Sequence, residues 1–233
     1  MYKEKKVLCI IPARGGSKSI KDKNIITLGN KPLIAYAVSA ARKSKLLDEV
    51  IVSTDSLKIK NVALKYKVKV PFLRPKKYAT NKSPTIESLK HGLLEMEKIN
   101  KTKYDYVLCL QVTNPFVKAQ NIDNLIKLII EQKGDSATSV TKVEDFNPTK
   151  LKIIKNNKLE DYLIKEKQGT RRQDFTDLYK RNGSLYLSQR ELIIKNKIFG
   201  KKIIPLVMSE YTQIDINTKF DLRLAEYLMK SYK

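Results

Sequence analysis

A doubly wound α/β fold with a mostly parallel central sheet is the architecture that this sequence predicts, on three observations. The 233 residues, of which 42% are hydrophobic and 30% charged, suffice for one large domain with a full core. Short apolar runs rich in valine and isoleucine recur along the first part of the chain, as in strands covered on both faces. Stretches with helical spacing separate these runs, and such alternation is typical of parallel sheets with right-handed crossovers.

The predicted core strands are the nearly continuous apolar runs at residues 7–11, 50–53 and 106–112, followed by a fourth strand at 137–140. Their length and their β-branched residues favour buried strands over helices. Because parallel strands end at the same edge of a sheet, the loops that follow them are expected to meet there.

Three helices are predicted between these strands. The first covers residues 32–43 and opens with a proline, which a first helical turn tolerates. The second follows Ser83-Pro84, with Ser83 as the candidate cap, and repeats apolar residues at 86, 89, 93 and 96. The third places isoleucine and leucine at 122, 125, 126 and 129. These spacings of three and four give each helix one apolar face.

The alternation of strands and helices gives way near residue 145 to shorter strand-like pieces. An inserted β-rich subdomain is therefore predicted over residues 145–200 of a single domain that spans 1–233. Strand-like pieces at 151–154 and 184–187 are separated there by polar stretches. The chain then returns with strands at 203–208 and 212–216 and a last helix, in which Thr218 and Asp221 are placed as a capping pair.

The composition excludes several classes of protein. No apolar run approaches the ~20 residues of a membrane span, and the short run at 7–11 does not suit a signal peptide, so a cytoplasmic protein is expected. Cys9 and Cys109 lack the CxxC spacing of zinc or redox sites and are expected as buried free thiols. The single histidine, His91, removes every scheme that needs two.

The charge balance raises nucleic acid as a partner. Forty-seven Lys and Arg against 24 Asp and Glu give a formal net charge of +23. The excess is spread along the chain, however, and only eight of the cations are arginine, the residue best suited to base edges. We therefore expect a lysine-rich solvated surface and no nucleic-acid partner. A cleft for an anionic small molecule would gain from this background field.

The loop after the first strand carries the strongest functional signal. It has the sequence IPARGGSKSIKDKN and brings Arg14, Lys18, Lys21 and Lys23 into one turn beside a glycine pair. Glycines allow backbone N–H groups to approach an anion closely, so this composition predicts a phosphate-binding loop. The loop matches neither the P-loop pattern nor the GxGxxG pattern, which argues against an ATPase and a dinucleotide oxidoreductase.

The same loop resembles the opening signature of the acylneuraminate cytidylyltransferase family, the CMP-sialic acid synthetases. Five later segments are similar to that family in the same order, so the resemblance covers nearly the whole chain. They are VSTD at 52–55, PFLRP at 71–75, LQVTNP at 110–115, RRQD at 171–174 with NGSLY at 182–186, and QIDINT at 213–218. Six motifs in register make a chance match very improbable. Ser19 departs from the family, which usually has glycine at this position.

The resemblance implies a Rossmann-like nucleotidyltransferase that joins CTP to the anomeric hydroxyl of a sialic-acid-like nonulosonic acid and releases pyrophosphate. Arg14 and Lys23 are the implied catalytic residues, because cations neutralise the triphosphate and the developing pyrophosphate. The implied nucleotide-binding residues are Ala13, Gly15, Gly16, Ser17, Lys18, Asn24, Arg74, Ser83 and Thr85.

For the acid sugar the resemblance implies Gln111, Lys150, Arg172 and Tyr186, with Arg172 as the physically preferred partner of the carboxylate because its guanidinium is forked. Mg²⁺ is the implied cofactor, and Asp215 with Asn217 is the implied metal site. The family usually shows Asp-Ile-Asp here, whereas Asn217 offers only a neutral oxygen, so a two-carboxylate site is not expected.

A homodimer is expected, since the polar stretch 145–183 makes little core and in the resembling family such an insertion reaches a partner subunit. Several alternatives stay open. The close alternative to a sialic-acid-like acceptor is the same reaction on a legionaminic, pseudaminic or deoxyoctulosonic acid, of which the last is less favoured because its enzymes have a different first loop. A basic nucleic-acid-binding domain is a distant alternative, and Asn217 raises a catalytically silent binding module.

Overall fold

The computed structural model describes residues 2–143, 148–163 and 176–231, which form a sheet with helices on both faces. The strands are β1 Val7–Pro12, β2 Thr27–Leu28, β3 Lys31–Pro32, β4 Glu49–Ser53, β5 Tyr106–Leu110, β6 Ser136–Lys142, β7 Lys152–Lys155, β8 Lys158–Asp161, β9 Tyr179–Gln189 and β10 Ile203–Met208. The α-helices are α1 Leu33–Lys43, α2 Leu57–Lys65, α3 Thr85–Asn100, α4 Ala119–Glu131, α5 Arg190–Ile194 and α6 Lys219–Ser231.

The central sheet has six strands in the order β10-β6-β9-β5-β1-β4. Strand β1 pairs in parallel with β4 and β5, and β6 pairs in parallel with β10, whereas β9 runs antiparallel between β5 and β6. This arrangement confirms the predicted doubly wound, mostly parallel α/β fold. It also brings the carboxyl ends of β1, β4, β5 and β6 to one edge, where loops can converge on a ligand.

Alternate residues of β1 enter two separate cores. Cys9 and Ile11 pack with α1, α2 and α4, whereas Leu8 and Ile10 pack with α3 and α5. The run is continuously apolar because both faces of the strand are covered. Gly92 on α3 allows the close approach on the second face, since a Cβ there would lie 2.8 Å from Ile10 Cδ1.

The helix predictions are largely confirmed, with one change at a cap. Helix α3 begins at Thr85 with Pro84 as its N-cap residue, and the Ser83 hydroxyl contacts Thr80 instead of capping the helix. The capping pair of α6 is confirmed, because Thr218 N–H donates to Asp221 Oδ2 at 2.7 Å and Asp221 N–H donates to Thr218 Oγ1 at 3.2 Å. Helix α2 was not predicted.

Two predictions about the second half of the chain are wrong in detail. Residues 179–200 were assigned to an insertion, but β9 pairs with β5 and β6 in the central sheet and α5 packs beside it. Of the strands described within the predicted insertion, β7 and β8 form a hairpin that does not join the central sheet. Residues 144–147 and 164–175 of the insertion lie outside the described residues. The strand predicted at 212–216 is instead a 3-10 helix, Glu210–Gln213, and an irregular segment after the edge strand β10.

The described part of the chain contains no helix that is both long and apolar enough to cross a bilayer. Cys9 and Cys109 are free and buried on the neighbouring strands β1 and β5, as predicted.

Candidate active site

A cleft of about 630 Å³ lies over the edge of the sheet where the first loop, the loop before α3 and the segment before α6 meet. Most of the predicted site residues line it. They are Arg14, Ser17, Lys18, Lys23, Asn24, Arg74, Ser83, Thr85, Gln111, Tyr186, Asp215 and Asn217. The structure therefore brings together residues that are up to two hundred positions apart in the sequence.

Four predicted residues stand outside the lining. Ala13 is buried and its N–H donates to Ser53 O at 2.9 Å. Gly15 N–H donates to Asp55 Oδ1 at 2.9 Å, so this amide is engaged by protein instead of facing an anion. Gly16 is exposed. Ala13 and Gly15 therefore support the loop through backbone contacts with protein, whereas the exposed Gly16 remains a predicted contact of the phosphates.

Lys150, the fourth, is an exposed residue of the 3-10 helix Pro148–Lys150 and is not among the residues that line the cleft. Arg172 falls in the segment 164–175, outside the described residues.

Gly15 has a steric reason to be glycine. A Cβ at this position would lie 3.0 Å from Ser56 Cβ, at the start of α2. Contact with the end of β4 thus fixes the first loop, because Asp55 accepts its amide and Ser56 leaves no room for a side chain. The loop carries its cations on a backbone that is tied to the neighbouring strand.

Arg14 of the loop is held by a polar partner within the cleft. Arg14 Nη1 donates to Asn81 Oδ1 at 2.6 Å, which joins the first loop to the loop before α3. Asn24 is buried, and its Nδ2 donates to Arg14 O at 2.9 Å. Asn24 therefore acts on the backbone of the loop, and Arg14 reaches across the cleft mouth. Asn81 was not predicted as a site residue.

Arg74 is the most unusual cation of the site because it is only 6% exposed. Its Nε and Nη2 atoms are buried without a hydrogen-bond partner. Burial lowers the pKa of Arg74, nearby Asp55 opposes this shift, and Arg14 adds to it. A buried charged donor without a partner is costly, so this guanidinium is prepared to receive acceptor atoms of a ligand in the cleft.

Lys23 and Asp215 form the opposite side of the cleft with Asn217 between them. Lys23 Nζ donates to Ile216 O at 3.1 Å and to Asn217 Oδ1 at 3.0 Å. Asn217 Nδ2 donates in turn to Asp215 Oδ2 at 2.7 Å. Burial lowers the pKa of Lys23, while the negative charge of Asp215 opposes the shift.

The donor set offers a limited metal site. Among the described residues no group of three His, Cys, Asp or Glu is arranged to hold a metal ion. Asp215 lines the cleft on the same side as Lys23, and one carboxylate together with phosphate oxygens and water fits what Mg²⁺ requires. The amide oxygen of Asn217 does not fit this role, because it accepts from Lys23.

Gln111 and Tyr186 line the end of the cleft that borders β5 and β9. Gly183 lies three residues before Tyr186 on β9 with φ of +74°, and a Cβ there would lie 3.9 Å from Asp215 Oδ2. Burial raises the pKa of the Tyr186 hydroxyl, so at neutral pH it is a neutral donor and acceptor. Both side chains therefore suit hydroxyl and carboxylate groups of a sugar.

A smaller cavity of about 330 Å³ continues this end of the cleft and shares Thr85, Gln111 and Tyr186 with it. Its further lining is Arg181, Ile198 and Phe199. The Arg181 guanidinium lies 5.0 Å from the centre of the Phe199 ring, and Tyr186 meets the same ring edge-on. These residues were not predicted, and Phe199 gives no signal in sequence because it lies outside the motifs.

Comparisons with known proteins agree with this geometry. A family profile described as cytidylyltransferase matches residues 8–229. The chain is 34% identical to a CMP-N,N'-diacetyllegionaminic acid synthase of Legionella pneumophila and 33% identical to a pseudaminic acid cytidylyltransferase of Campylobacter jejuni, with 97% of each chain covered in both cases. It is 30% identical to an N-acylneuraminate cytidylyltransferase of Streptococcus agalactiae, over 93% of this chain and 51% of that protein.

Solved structures show the same fold at lower identity. A CMP:2-keto-3-deoxy-manno-octonic acid synthetase complexed with CTP superposes with a TM-score of 0.72 at 16% identity, covering 98% of this chain and all of the other. A 4-diphosphocytidyl-2C-methyl-D-erythritol synthase from Anaerococcus prevotii gives a TM-score of 0.65 at 18% identity, with 97% and 96% covered. On the profile match and the full-length relatives, the chain belongs to the cytidylyltransferase family.

Proposed function

We propose that this cytidylyltransferase transfers CMP from CTP to the anomeric hydroxyl of a nonulosonic acid. The observation that carries the proposal is the meeting of Arg14, Lys18 and Lys23 with Asp215 and Tyr186 in one cleft. Cations on one side match a triphosphate, and hydroxyl and amide groups on the other match an acid sugar. The relatives named for legionaminic, pseudaminic and acylneuraminic acids support an acceptor of this class.

In the proposed reaction the anomeric oxygen attacks the α-phosphorus of CTP and loses its proton. The bond between the α-phosphorus and the bridging oxygen breaks, and pyrophosphate leaves. Arg14, Lys18 and Lys23 stabilise the charge that develops on the phosphate oxygens, a kind of contribution worth ~2–4 kcal/mol per well-placed group. Mg²⁺ held by Asp215 would supply further charge on those oxygens.

The nucleoside is assigned to the end of the cleft that contains Arg74. Its two unpartnered nitrogens, Nε and Nη2, are donors for carbonyl or ring-nitrogen acceptors of a pyrimidine. Thr85 and Ser83 add hydroxyl groups nearby. The acid sugar is then assigned to Gln111 and Tyr186, next to the cavity that contains Arg181 and Phe199.

We also propose that the protein is a homodimer in solution. The hairpin β7–β8 exposes Ile154 at 79% and Leu159 at 70%, and the residues that follow expose Tyr162 at 58% and Leu163 at 66%. Apolar side chains gathered on one projecting hairpin are typical of a surface that a partner covers.

Pyrophosphate release tests the proposed activity. The protein is incubated with Mg²⁺, CTP and, separately, N-acetylneuraminic, diacetyllegionaminic, pseudaminic and deoxyoctulosonic acids, with UTP and ATP as nucleotide controls. Release that needs both CTP and one of the nine-carbon acids is expected. The Lys23→Ala variant should lose at least ~10-fold in rate, whereas replacing the exposed Lys65 with Ala should change little. If none of the nine-carbon acids in the panel supports pyrophosphate release from CTP, the proposal is refuted.

A further inference from the structure

The segment that contains Asn217 is fixed from several directions. Ile216 is fully buried, and its N–H donates to Thr113 O at 2.9 Å. Asn217 N–H donates to Asp221 Oδ2 at 2.9 Å, as part of the cap of α6. Because both backbone positions are held, the side chain of Asn217 leaves the chain from a fixed point. It projects between Lys23 and Asp215, which it joins through hydrogen bonds.

The chemistry of the two neighbours determines which end of the amide faces each of them. An ammonium group only donates hydrogen bonds, and an ionised carboxylate only accepts them. The amide oxygen of Asn217 must therefore face Lys23, and its nitrogen must face Asp215, as the distances of 3.0 Å and 2.7 Å show. The reverse orientation would place two donors together at Lys23 and two acceptors together at Asp215.

We infer that Asn217 is a positioning residue that joins the Lys23 ammonium to the Asp215 carboxylate, and that it is not a metal ligand. The oxygen that a metal would need already accepts from a cation, and a second cation beside it would be repelled. The neighbouring Asp221 accepts the N–H groups of Asn217 and Thr218 at Oδ2 as the cap of α6, and it is not among the residues that line the cleft. Asp215 is thus the carboxylate of this segment that is left for a metal.

The bridge has a consequence for the proposed reaction. Lys23 is held by two acceptors, Ile216 O and Asn217 Oδ1, so its charge is oriented before substrate binds. Preoriented charge costs no reorganisation in the transition state. The role of these hydrogen bonds in catalysis rests on the proposed function. The hydrogen bonds that join Lys23, Asn217 and Asp215 do not depend on it.

Competitive labelling of lysine amines tests the bridge without substrate or metal. Asn217→Ala removes the acceptor for Lys23, and we expect Lys23 to be labelled about fivefold faster, the change expected when one hydrogen bond is lost. Asn217→Asp keeps an acceptor facing Lys23 and adds a negative charge that favours the protonated amine, so labelling of Lys23 should be no faster than in the wild type. Lys58, which pairs with Asp22 at 2.6 Å, serves as the internal reference. Unchanged labelling of Lys23 in Asn217→Ala would overturn the inference.

Binding of Mn²⁺ with a non-hydrolysable CTP analogue, followed by electron paramagnetic resonance, tests the second half of the inference. Asn217→Ala should retain Mn²⁺ affinity within about threefold, whereas Asp215→Ala should lose at least tenfold. An equal loss in both variants would make Asn217 a ligand and overturn the inference. If both variants keep their affinity, the proposed metal site at Asp215 fails, and the labelling result alone decides the bridge.

Discussion

Replacing Arg74 with Met should stabilise the free protein and weaken nucleotide binding at the same time. The guanidinium is 6% exposed, and two of its nitrogen atoms are buried without a partner. Each buried, unsatisfied donor costs about 1–3 kcal/mol, and Met keeps most of the alkyl stem while removing the charge. Asp55 recovers part of that cost in the wild type, so we expect a net gain of about 1–3 kcal/mol in the free energy of unfolding.

A gain of that size raises the melting temperature by about 3–9 °C, at roughly 3 °C per kcal/mol for a chain of this length. In the complex the same two donors would each contribute about 1.5–3 kcal/mol, so CTP affinity should fall by at least ~100-fold. The assay is thermal unfolding of the ligand-free protein beside calorimetric titration with a non-hydrolysable CTP analogue.

Arg223→Met on the exposed surface of α6 is the matched control, because it removes the same charge from solvent. It should leave both the melting temperature and the CTP affinity near wild type. The reasoning is refuted if Arg74→Met melts at a lower temperature than the control and still binds the nucleotide at wild-type affinity. Arg74 would then be a structural residue.

Four further outcomes are expected. Arg14→Ala should lower kcat by at least ~10-fold with the fold intact by circular dichroism, and a rate within twofold of wild type would remove Arg14 from the mechanism. Asp215→Asn should nearly abolish activity, whereas Asn217→Asp should be tolerated and lower the Mg²⁺ concentration for half-maximal rate; full activity of Asp215→Asn at limiting Mg²⁺ would contradict the site. Burial raises the pKa of Glu97, but the two-pronged contact with Arg190, the Tyr104 N–H and the charge of Lys103 together outweigh it and the net shift is downward. A lowered pKa stabilises the fold above the unfolded pKa, so Glu97→Gln should cost about 1 kcal/mol at pH 7, and the difference should fade as the pH falls below the unfolded value of about 4.3 and through the lower folded pKa. Light scattering at micromolar concentration should give the mass of a dimer, and a monomeric mass would contradict the proposed assembly.

The sequence predicted the structure correctly where the deciding residues lie within one short segment. The run at 7–11 is apolar at every position, so only a strand covered on both faces accounts for it, and β1 is that strand. The cation-rich loop follows it directly, and its place at the carboxyl edge of the sheet follows from the alternation of strands and helices. The capping pair Thr218 and Asp221 was readable for the same reason, because cap and partner are three residues apart.

The predictions of secondary structure and strand placement were wrong where the outcome depends on pairing between segments that are distant in the sequence. Strand β9 is long and partly polar, and nothing within it indicates that it runs antiparallel between β5 and β6. Its sequence resembles an edge or an insertion, and only pairing with both neighbours makes it a central strand. The segment predicted as a strand at 212–216 pairs with neither edge strand of the central sheet, and the chain forms a 3-10 helix at Glu210–Gln213.

The sequence by itself determined the fold class, the family resemblance and most of the residues that line the cleft, because each depends on periodicity or on motifs within a few residues. Only the tertiary structure decided which atoms those residues contact. Gly15 turned out to bind Asp55, Arg74 to be buried without a partner, and Asn217 to face Lys23 with its oxygen. Hydrogen-bond partners and burial depend on which distant atoms arrive within ~3 Å, and that is settled by packing.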